Sequence, residues 1–225
     1  MRILVLNGSP KKRSDTMRLT NAFLEGLDKD KGNDITIVDV RDKRIAPCRG
    51  CFQCWQRKDC HCVIEDDQNA ILDLYREADI IIWSFPLYCY AMPSHLKAVL
   101  DRTLPLTSMR MVTLEDGTVR HETMVDFSKK HTLVISGCGF PHWQGNFEGL
   151  RIMCRNCFGN PDMVFVPEAP LLNVPQASVV ADPLLRRFRE AGEEYAQNLT
   201  LSESTVKVLE RPMISMEEYL RNINR

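Results

Sequence analysis

Short apolar runs alternate with amphipathic stretches along most of the chain. Arg2–Leu6 is a nearly continuous apolar run, the pattern of a strand buried on both faces. Ser14–Leu27 follows with Met17, Phe23, Leu24 and Leu27 at three- and four-residue spacing and Ala22 beside them, which predicts a helix. Asp34–Val40 is rich in β-branched residues and predicts a second strand. Asp66–Glu77 predicts a second helix with Ala70, Ile71, Leu74 and Tyr75 on its buried face. Asp79–Phe85, with three consecutive isoleucines, predicts the third strand. Pro93–Leu104 predicts the third helix, its proline in the first turn where the missing N–H is harmless.

The rhythm breaks over residues 105–130. Met111–Glu115 and Thr118–Met124 flank Asp116-Gly117, a hairpin signal, and the segment reads as an insertion that covers a ligand or a partner subunit. The alternation then resumes, with strands over His131–Ser136 and Asp162–Pro167 and a helix over Asn146–Phe158. Asp182-Pro183 reads as an N-cap with proline at the first helical position, opening a last main helix to about Leu199. Ser215-Met-Glu-Glu218 is a capping box for one short helix in the tail. The order βαβαβαβαβα with right-handed crossovers predicts a five-stranded parallel sheet with helices on both faces, strand order 2-1-3-4-5, the flavodoxin-like arrangement. Ligands of such sheets sit at the carboxyl ends of the strands where the order reverses, so the loops after strands one, three and four are the candidates.

Composition narrows the partners. With 225 residues the chain is long enough for one well-filled core and short for two. Net charge is -1, so no basic surplus favours nucleic acid. No apolar run approaches the roughly 20 residues of a membrane span, and the opening MRILVLNGSPKKRSD lacks the apolar region and cleavage site of a signal peptide. A cytoplasmic location, with no membrane and no nucleic-acid partner, is the expectation. Of nine cysteines, five lie between Cys48 and Cys62. An odd count so clustered argues against a disulfide framework and for metal, iron–sulfur or redox use.

The loop after strand one is Asn7-Gly-Ser-Pro-Lys-Lys-Arg-Ser-Asp-Thr16. Its small and hydroxylated residues let the backbone curl toward an anion at a helix N-terminus; Ser9, Ser14 and Thr16 offer hydroxyls, and Lys11, Lys12 and Arg13 offer charge. It matches neither GxxxxGK[ST] nor GxGxxG, which disfavours a triphosphate P-loop and a Rossmann dinucleotide. It is either a monophosphate cradle or a solvated turn with a helix cap. This loop resembles that of the NADPH-dependent FMN reductase and iron–sulfur flavoprotein branch of flavodoxin-like proteins. That family usually carries Gly-Asn-Thr where this chain has Ser14-Asp15-Thr16, and a carboxylate at Asp15 repels a phosphate unless it turns away.

The loop after strand three, Ser84-Phe-Pro-Leu-Tyr-Cys-Tyr-Ala-Met-Pro93 with Leu96-Lys97 and Asp101-Arg102, resembles the family motif Pro-x-Tyr-x-x-x-Met-Pro-x-x-Leu-Lys-x-x-x-Asp-Arg. The resemblance implies that Pro86, Leu87, Tyr88, Cys89 and Tyr90 hold an isoalloxazine ring, and that Ser136, Gly137 and Gly139 of Ser136-Gly-Cys-Gly-Phe-Pro-His142 make the third contact. Cys138 reads as a small buried thiol. Met92 and Leu96 read as packing residues, and Lys97, Asp101 and Arg102 as an i,i+4 brace on their helix. His142 and Trp143 either shape the substrate pocket or lie on a surface loop.

In the cysteine segment, Cys48, Cys51 and Cys54 repeat at x2 spacing, and Cys60 or Cys62 follows as a fourth thiol. The run resembles ferredoxin-type ligation in style and the compact motif of iron–sulfur flavoproteins, which implies a [4Fe–4S] cluster. Zinc, a redox disulfide, or a plain loop near the flavin are the other readings. Asp66 and Asp67 read as caps of the second helix.

The resemblance thus implies an FMN-dependent oxidoreductase that passes electrons from NAD(P)H to a quinone, a flavin or another small acceptor. The flavin supplies the chemistry, so no catalytic acid or base is expected. The alternatives are an electron carrier with an iron–sulfur cluster serving a redox protein, and a flavodoxin-like binding module without turnover. Residues 1–200 are expected to form the FMN-binding domain, residues 201–225 a C-terminal extension, and the chain a homodimer or homotetramer.

Overall fold

The structure is a computed structural model that describes residues 1–224. Five strands, β1 (Arg2–Asn7), β2 (Asp34–Asp39), β3 (Ile80–Pro86), β6 (His131–Gly137) and β7 (Asp162–Val166), form one sheet in the order β2-β1-β3-β6-β7, every pair parallel. This is the flavodoxin-like order expected from the sequence. The remaining strands, β4 (Thr107–Thr113) and β5 (Val119–Thr123), form a separate antiparallel hairpin around Asp116-Gly117. Gly117 takes φ +81° at its tip, and Met109, Met111 and Val119 face solvent from it.

Both faces of the sheet are buried because strand side chains alternate. Leu4, Leu6, Ile81, Trp83, Val134 and Phe165 enter one core. It is shared with α2 (Gln68–Glu77), α3 (Ser94–Asp101) and α4 (Glu148–Phe158). Ile3, Val5, Ile80, Ile82, Leu133, Ile135 and Val164 enter the other. There α1 (Asp15–Leu27) and α5 (Ser178–Asn198) cover the sheet. These two helices touch backbone to backbone: a Cβ on Gly26 would lie 1.9 Å from the Arg189 carbonyl oxygen, and one on Gly192 would lie 2.0 Å from that of Phe23. Glycine is required at both positions for α1 to lie where it does.

Three boundaries differ from expectation. The third helix stops at Asp101 instead of Leu104, because Pro105 disfavours helical backbone at Leu104 and the chain turns through a 3-10 turn at Leu104–Leu106. Asp182-Pro183 is not an N-cap: α5 starts at Ser178 with Pro183 inside it. Burial of Ala181 and Leu184 in the core outweighs the hydrogen bond that the proline removes. The tail carries two helices rather than one, α6 (Glu203–Leu209) and α7 (Met216–Ile223), the latter capped by Ser215 as its capping box predicts. No helix of the described residues is long and apolar enough to cross a membrane.

The tail is held by carboxylates. Asp162 accepts from the Leu201 N–H, Glu168 from those of Met213 and Ile214, and Glu210 from that of Phe165. Burial raises all three above their ordinary values of 3.8 for the aspartate and 4.5 for the glutamates. The folded chain therefore holds these protons more tightly than the unfolded one, so their contribution is full below the unfolded values and declines as pH rises through the raised ones. We expect urea unfolding to show a higher midpoint at about pH 5 than at about pH 7.5. A flat or opposite trend would mean that these carboxylates stay solvated.

Candidate functional site

The carboxyl ends of β1, β3 and β6 open into one cleft, lined by the loops after those strands and by Ala169 and Pro170 after β7. The first loop is shaped by its own side chains. The Ser9 N–H donates to Asn7 Oδ1 (3.0 Å) and the Lys11 N–H to Ser9 Oγ (3.3 Å), while the Gly8 N–H ties the loop to the Ser84 carbonyl (2.8 Å). These short-range bonds are the turns that Asn and Ser favour. Ser14 Oγ caps α1 by accepting from the Met17 N–H (3.1 Å) and also meets Thr16 Oγ1 at 2.9 Å. Asp15 lines the cleft as well, with its carboxylate paired to Lys11 Nζ (3.3 Å) and to Asn173 Nδ2. The first turn of α1 thus opens at the cleft floor, with Ser9 and Thr16 bordering it.

The second loop leaves β3 through Pro86. The Leu87 N–H bonds the Gly137 carbonyl (2.8 Å), and Tyr88 and Ala91 exchange backbone bonds of 2.9 Å around Cys89 and Tyr90. Those two residues take φ of +46° and +61°. Two successive non-glycine residues in that region are strained, so the tip is held out by its surroundings. Tyr90 stacks on Phe140 of the third loop at 6.1 Å between centroids. At the end of β6, a Cβ on Gly137 would lie 2.7 Å from that of Ala169, so only glycine fits the cradle.

Of the residues singled out from the sequence, Ser9, Lys11, Asp15, Thr16, Pro86, Leu87, Tyr88, Gly137 and Gly139 line the cleft. Ser14 acts as the helix cap, and Cys89 and Tyr90 form the exposed tip beyond the lining. Ser136 is fully buried outside the lining, its hydroxyl without a partner. Cys138 lines the cleft, and burial pushes its thiol up to about 11, so it stays protonated at neutral pH. His142 bonds the Gln144 carbonyl on an exposed loop, and Trp143 lies under Arg151. Ala169 and Pro170 went unseen in the sequence, although they follow a strand whose carboxyl end lies on the same rim.

The lining fits a flat ligand with a phosphate tail. A helix N-terminus with two hydroxyls lies at one end, and Pro86, Leu87, Ala169 and Pro170 give apolar walls. The missing side chain at Gly137 lets Ala169 and Thr16, both of them lining residues, close against the end of β6.

A second, smaller concavity lies between the cysteine segment and the start of the hairpin. Cys48, Cys51, Cys54 and Cys62 line it together with Arg102 and Pro105. Cys60 does not: it takes φ +59° and packs into the core. Among the described residues, no group of three or more His, Cys, Asp or Glu side chains converges closely enough to hold a metal ion. Burial, then the neighbouring Cys62 and Cys51, push the Cys54 thiol up.

Arg102 is the keystone of this pocket and not a brace on its own helix. Lys97 and Asp101 do pair as i,i+4 neighbours, but Arg102 is 1% exposed and reaches across to the cysteine segment. Its guanidinium donates to the carbonyls of Ala46 (3.1 Å) and Ile64 (3.2 Å) and to Asp66 Oδ2 (2.5 Å). Cys62 lines the same pocket. Burial works against the Asp66 charge, yet the bonds from Arg102 and from the Ala46 and Gln68 N–H groups hold its carboxyl below the usual range. Asp66 therefore serves the ion pair as well as the start of α2, while Asp67 accepts from the Arg44 N–H. Trp55 ties the same loop to the hairpin base through Nε1 bonds of 3.3 Å to the Leu104 carbonyl and Thr107 Oγ1.

Known proteins resemble this chain to different extents. A family model described as NADPH-dependent FMN reductase matches residues 1–135. An iron–sulfur flavoprotein from Methanosarcina thermophila is 36% identical over 106 residues, which is 47% of this chain and 54% of that protein. The chain spans about half the length of the curated relatives it matches. Among solved structures, an azoreductase from Bacillus anthracis str. Sterne aligns with a TM-score of 0.62 at 14% identity, covering 88% of this chain and 99% of that one. An NAD(P)H:quinone oxidoreductase from Methanothermobacter marburgensis aligns at 0.60 with 18% identity, covering 86% and 96%. At these identities the structural likeness speaks for the fold alone.

Proposed function

Because the chain belongs to the NADPH-dependent FMN reductase family, whose model matches more than half of it, we propose that its cleft binds FMN and that the protein is an NAD(P)H-dependent oxidoreductase. The observation that carries this reading is the convergence of three strand-end loops on one cleft, above the capped N-terminus of α1. Bound there, FMN would supply hydride acceptance from a nicotinamide and electron delivery to a quinone, a flavin or another small acceptor.

The chain's own part is to bind, orient and exclude water. The N-terminus of α1, with the hydroxyls of Ser9 and Thr16, would hold the phosphate. Lys11 pairs with Asp15 at the same rim, which offsets part of the repulsion that this carboxylate exerts on a phosphate. Pro86, Leu87, Ala169 and Pro170 would keep water from the flat faces of the ring, and Gly137 lets Ala169 close on that rim. No side chain is assigned a proton-transfer role; the Cys138 thiol is too weak an acid to act as a base at neutral pH. The test is to titrate the purified protein with FMN by flavin fluorescence and then add NADPH or NADH without oxygen. Stoichiometric binding followed by bleaching with at least one nicotinamide is expected; bleaching by neither would remove the reductase reading.

A second reading concerns the cysteine pocket and rests on its four thiols. Their chemistry suits a [4Fe–4S] cluster, although the side chains as they stand converge on no single metal ion. If the pocket takes a cluster, the fourth ligand is Cys62, which lines it, and not Cys60, which does not. Anaerobically purified protein should then contain iron and sulfide, should keep them in Cys60→Ser and should lose them in Cys62→Ser. Iron-free protein after anaerobic purification would end this reading, and loss in Cys60→Ser alone would reverse the assignment.

A further inference from the structure

The third cleft loop, Cys138–Phe140, is anchored by residues that lie far along the chain and outside the family-matched residues 1–135. Each of its three carbonyls is committed to a protein donor. The Ala169 N–H bonds the Cys138 carbonyl (2.9 Å), the Tyr219 hydroxyl donates to that of Gly139 (2.8 Å), and the Glu168 N–H bonds that of Phe140 (2.9 Å). The N–H groups of Gly139 and Phe140 donate to no protein acceptor among the described residues. A trans peptide points its N–H opposite to its C=O. Pinning the Gly139 carbonyl to the tail therefore turns the Phe140 N–H to the side away from the tail, and Gly139 itself borders the cleft.

Glu168 completes the anchor. It is fully buried in a left-handed conformation, φ +55°. Its backbone N–H holds the loop, while its Oε2 accepts from the N–H groups of Met213 (2.6 Å) and Ile214 (3.1 Å), just ahead of α7. Tyr219, 3% exposed, then reaches back from α7 to the loop. One residue thus grips the loop with its backbone and the tail with its side chain, and the tail grips the loop in return.

We propose that Tyr219 and Glu168 are positioning residues for the flavin, through which the C-terminal segment sets the Gly139 and Phe140 N–H donors toward an acceptor in the cleft. The proposal rests on the FMN reading above. Donors held toward the ring favour its more electron-rich form, so the segment tunes the oxidation–reduction balance of the bound flavin as well as its affinity.

The test uses the full chain with Tyr219→Phe, which removes one hydroxyl and keeps the ring, and Glu168→Gln as the second variant. Dissociation constants for oxidised FMN and riboflavin, the midpoint potential of bound FMN, and the melting of the flavin-free protein are measured. In Tyr219→Phe, affinity for oxidised FMN and riboflavin should fall by the same factor, about fivefold for one lost hydrogen bond. Affinity for the reduced form should fall further, so the potential moves negative, and the flavin-free protein should melt near the wild-type temperature. Glu168→Gln should shift the potential in the same direction and serves as the deciding variant if Tyr219→Phe does not fold. Wild-type protein that binds no FMN would overturn the flavin reading and this inference with it. Wild-type protein that binds FMN, with variants of unchanged potential, would overturn the inference alone, including where affinity and melting fall together.

Discussion

Replacing Arg102 by leucine is expected to destabilise the protein by about 3–5 kcal/mol, the usual cost of leaving one partner of a buried ion pair uncompensated. The Asp66 side chain is 11% exposed and that of Arg102 1%, so water cannot take over the role of the guanidinium. The loss extends beyond the charge. Arg102 donates to the carbonyls of Ala46 and Ile64, each two residues from a cysteine of the pocket, Cys48 at one end and Cys62 at the other. One side chain therefore closes the whole loop between β2 and α2, and its removal frees both ends together. Lysine does not restore this, because a single ammonium cannot span three acceptors in a planar fork. Pairing Arg102→Leu with Asp66→Leu should recover much of the stability, since an unpaired buried carboxylate costs more than an apolar pair. Urea unfolding of the two single variants and the double measures this coupling. A cost below about 1 kcal/mol for Arg102→Leu would place Asp66 in the class of solvated surface pairs.

Periodicity could not foresee that role. Arg102 sits at the end of a helix with Lys97 and Asp101 nearby, and a one-dimensional reading pairs it locally. Its real partner lies 36 residues earlier, beyond any helical or strand spacing. The same distinction runs through the molecule. The sheet was legible because strands buried on both faces must be continuous apolar runs, and Ile80–Ile82 or Leu133–Ile135 have no other use. The cleft loops were legible because turns, caps and glycines act within a few residues, as Asn7, Ser9 and Ser14 do. What escaped depends on tertiary contact. Ser136 has the right place in the chain but points into the interior, and Cys60 has ligand spacing but a core address. Pro183 follows an aspartate as a helix opener would, yet burial draws the helix start forward to Ser178. The tail carries a capping box that was readable, but nothing local could say that Tyr219 lies against Gly139.

The proposed phosphate end of the cleft can be tested apart from the fold, through Ser9→Asp. Ser9 borders the cleft, and its hydroxyl accepts the Lys11 N–H in a short turn. Aspartate makes the same kind of turn with a carboxylate oxygen, so the loop keeps its path, although Ser9 is 2% exposed and the added charge lowers the melting of the flavin-free protein. The ligand, however, now meets a negative charge at the rim meant for its phosphate. Two unit charges about 4 Å apart repel by roughly 4 kcal/mol at the effective dielectric of a protein surface. Even after screening and side-chain rotation, a loss of FMN affinity of about 100-fold or more is expected, equivalent to about 2.7 kcal/mol. Riboflavin lacks the phosphate and should bind the variant within about threefold of the wild type, a difference under 1 kcal/mol. Titrating both ligands by flavin fluorescence therefore separates a charge effect at one end of the cleft from damage to the whole. An equal loss for both ligands would mean that the substitution disturbs the cleft as a unit. Unchanged FMN binding would move the phosphate away from Ser9 and the first turn of α1, and with it the orientation assigned to the ring.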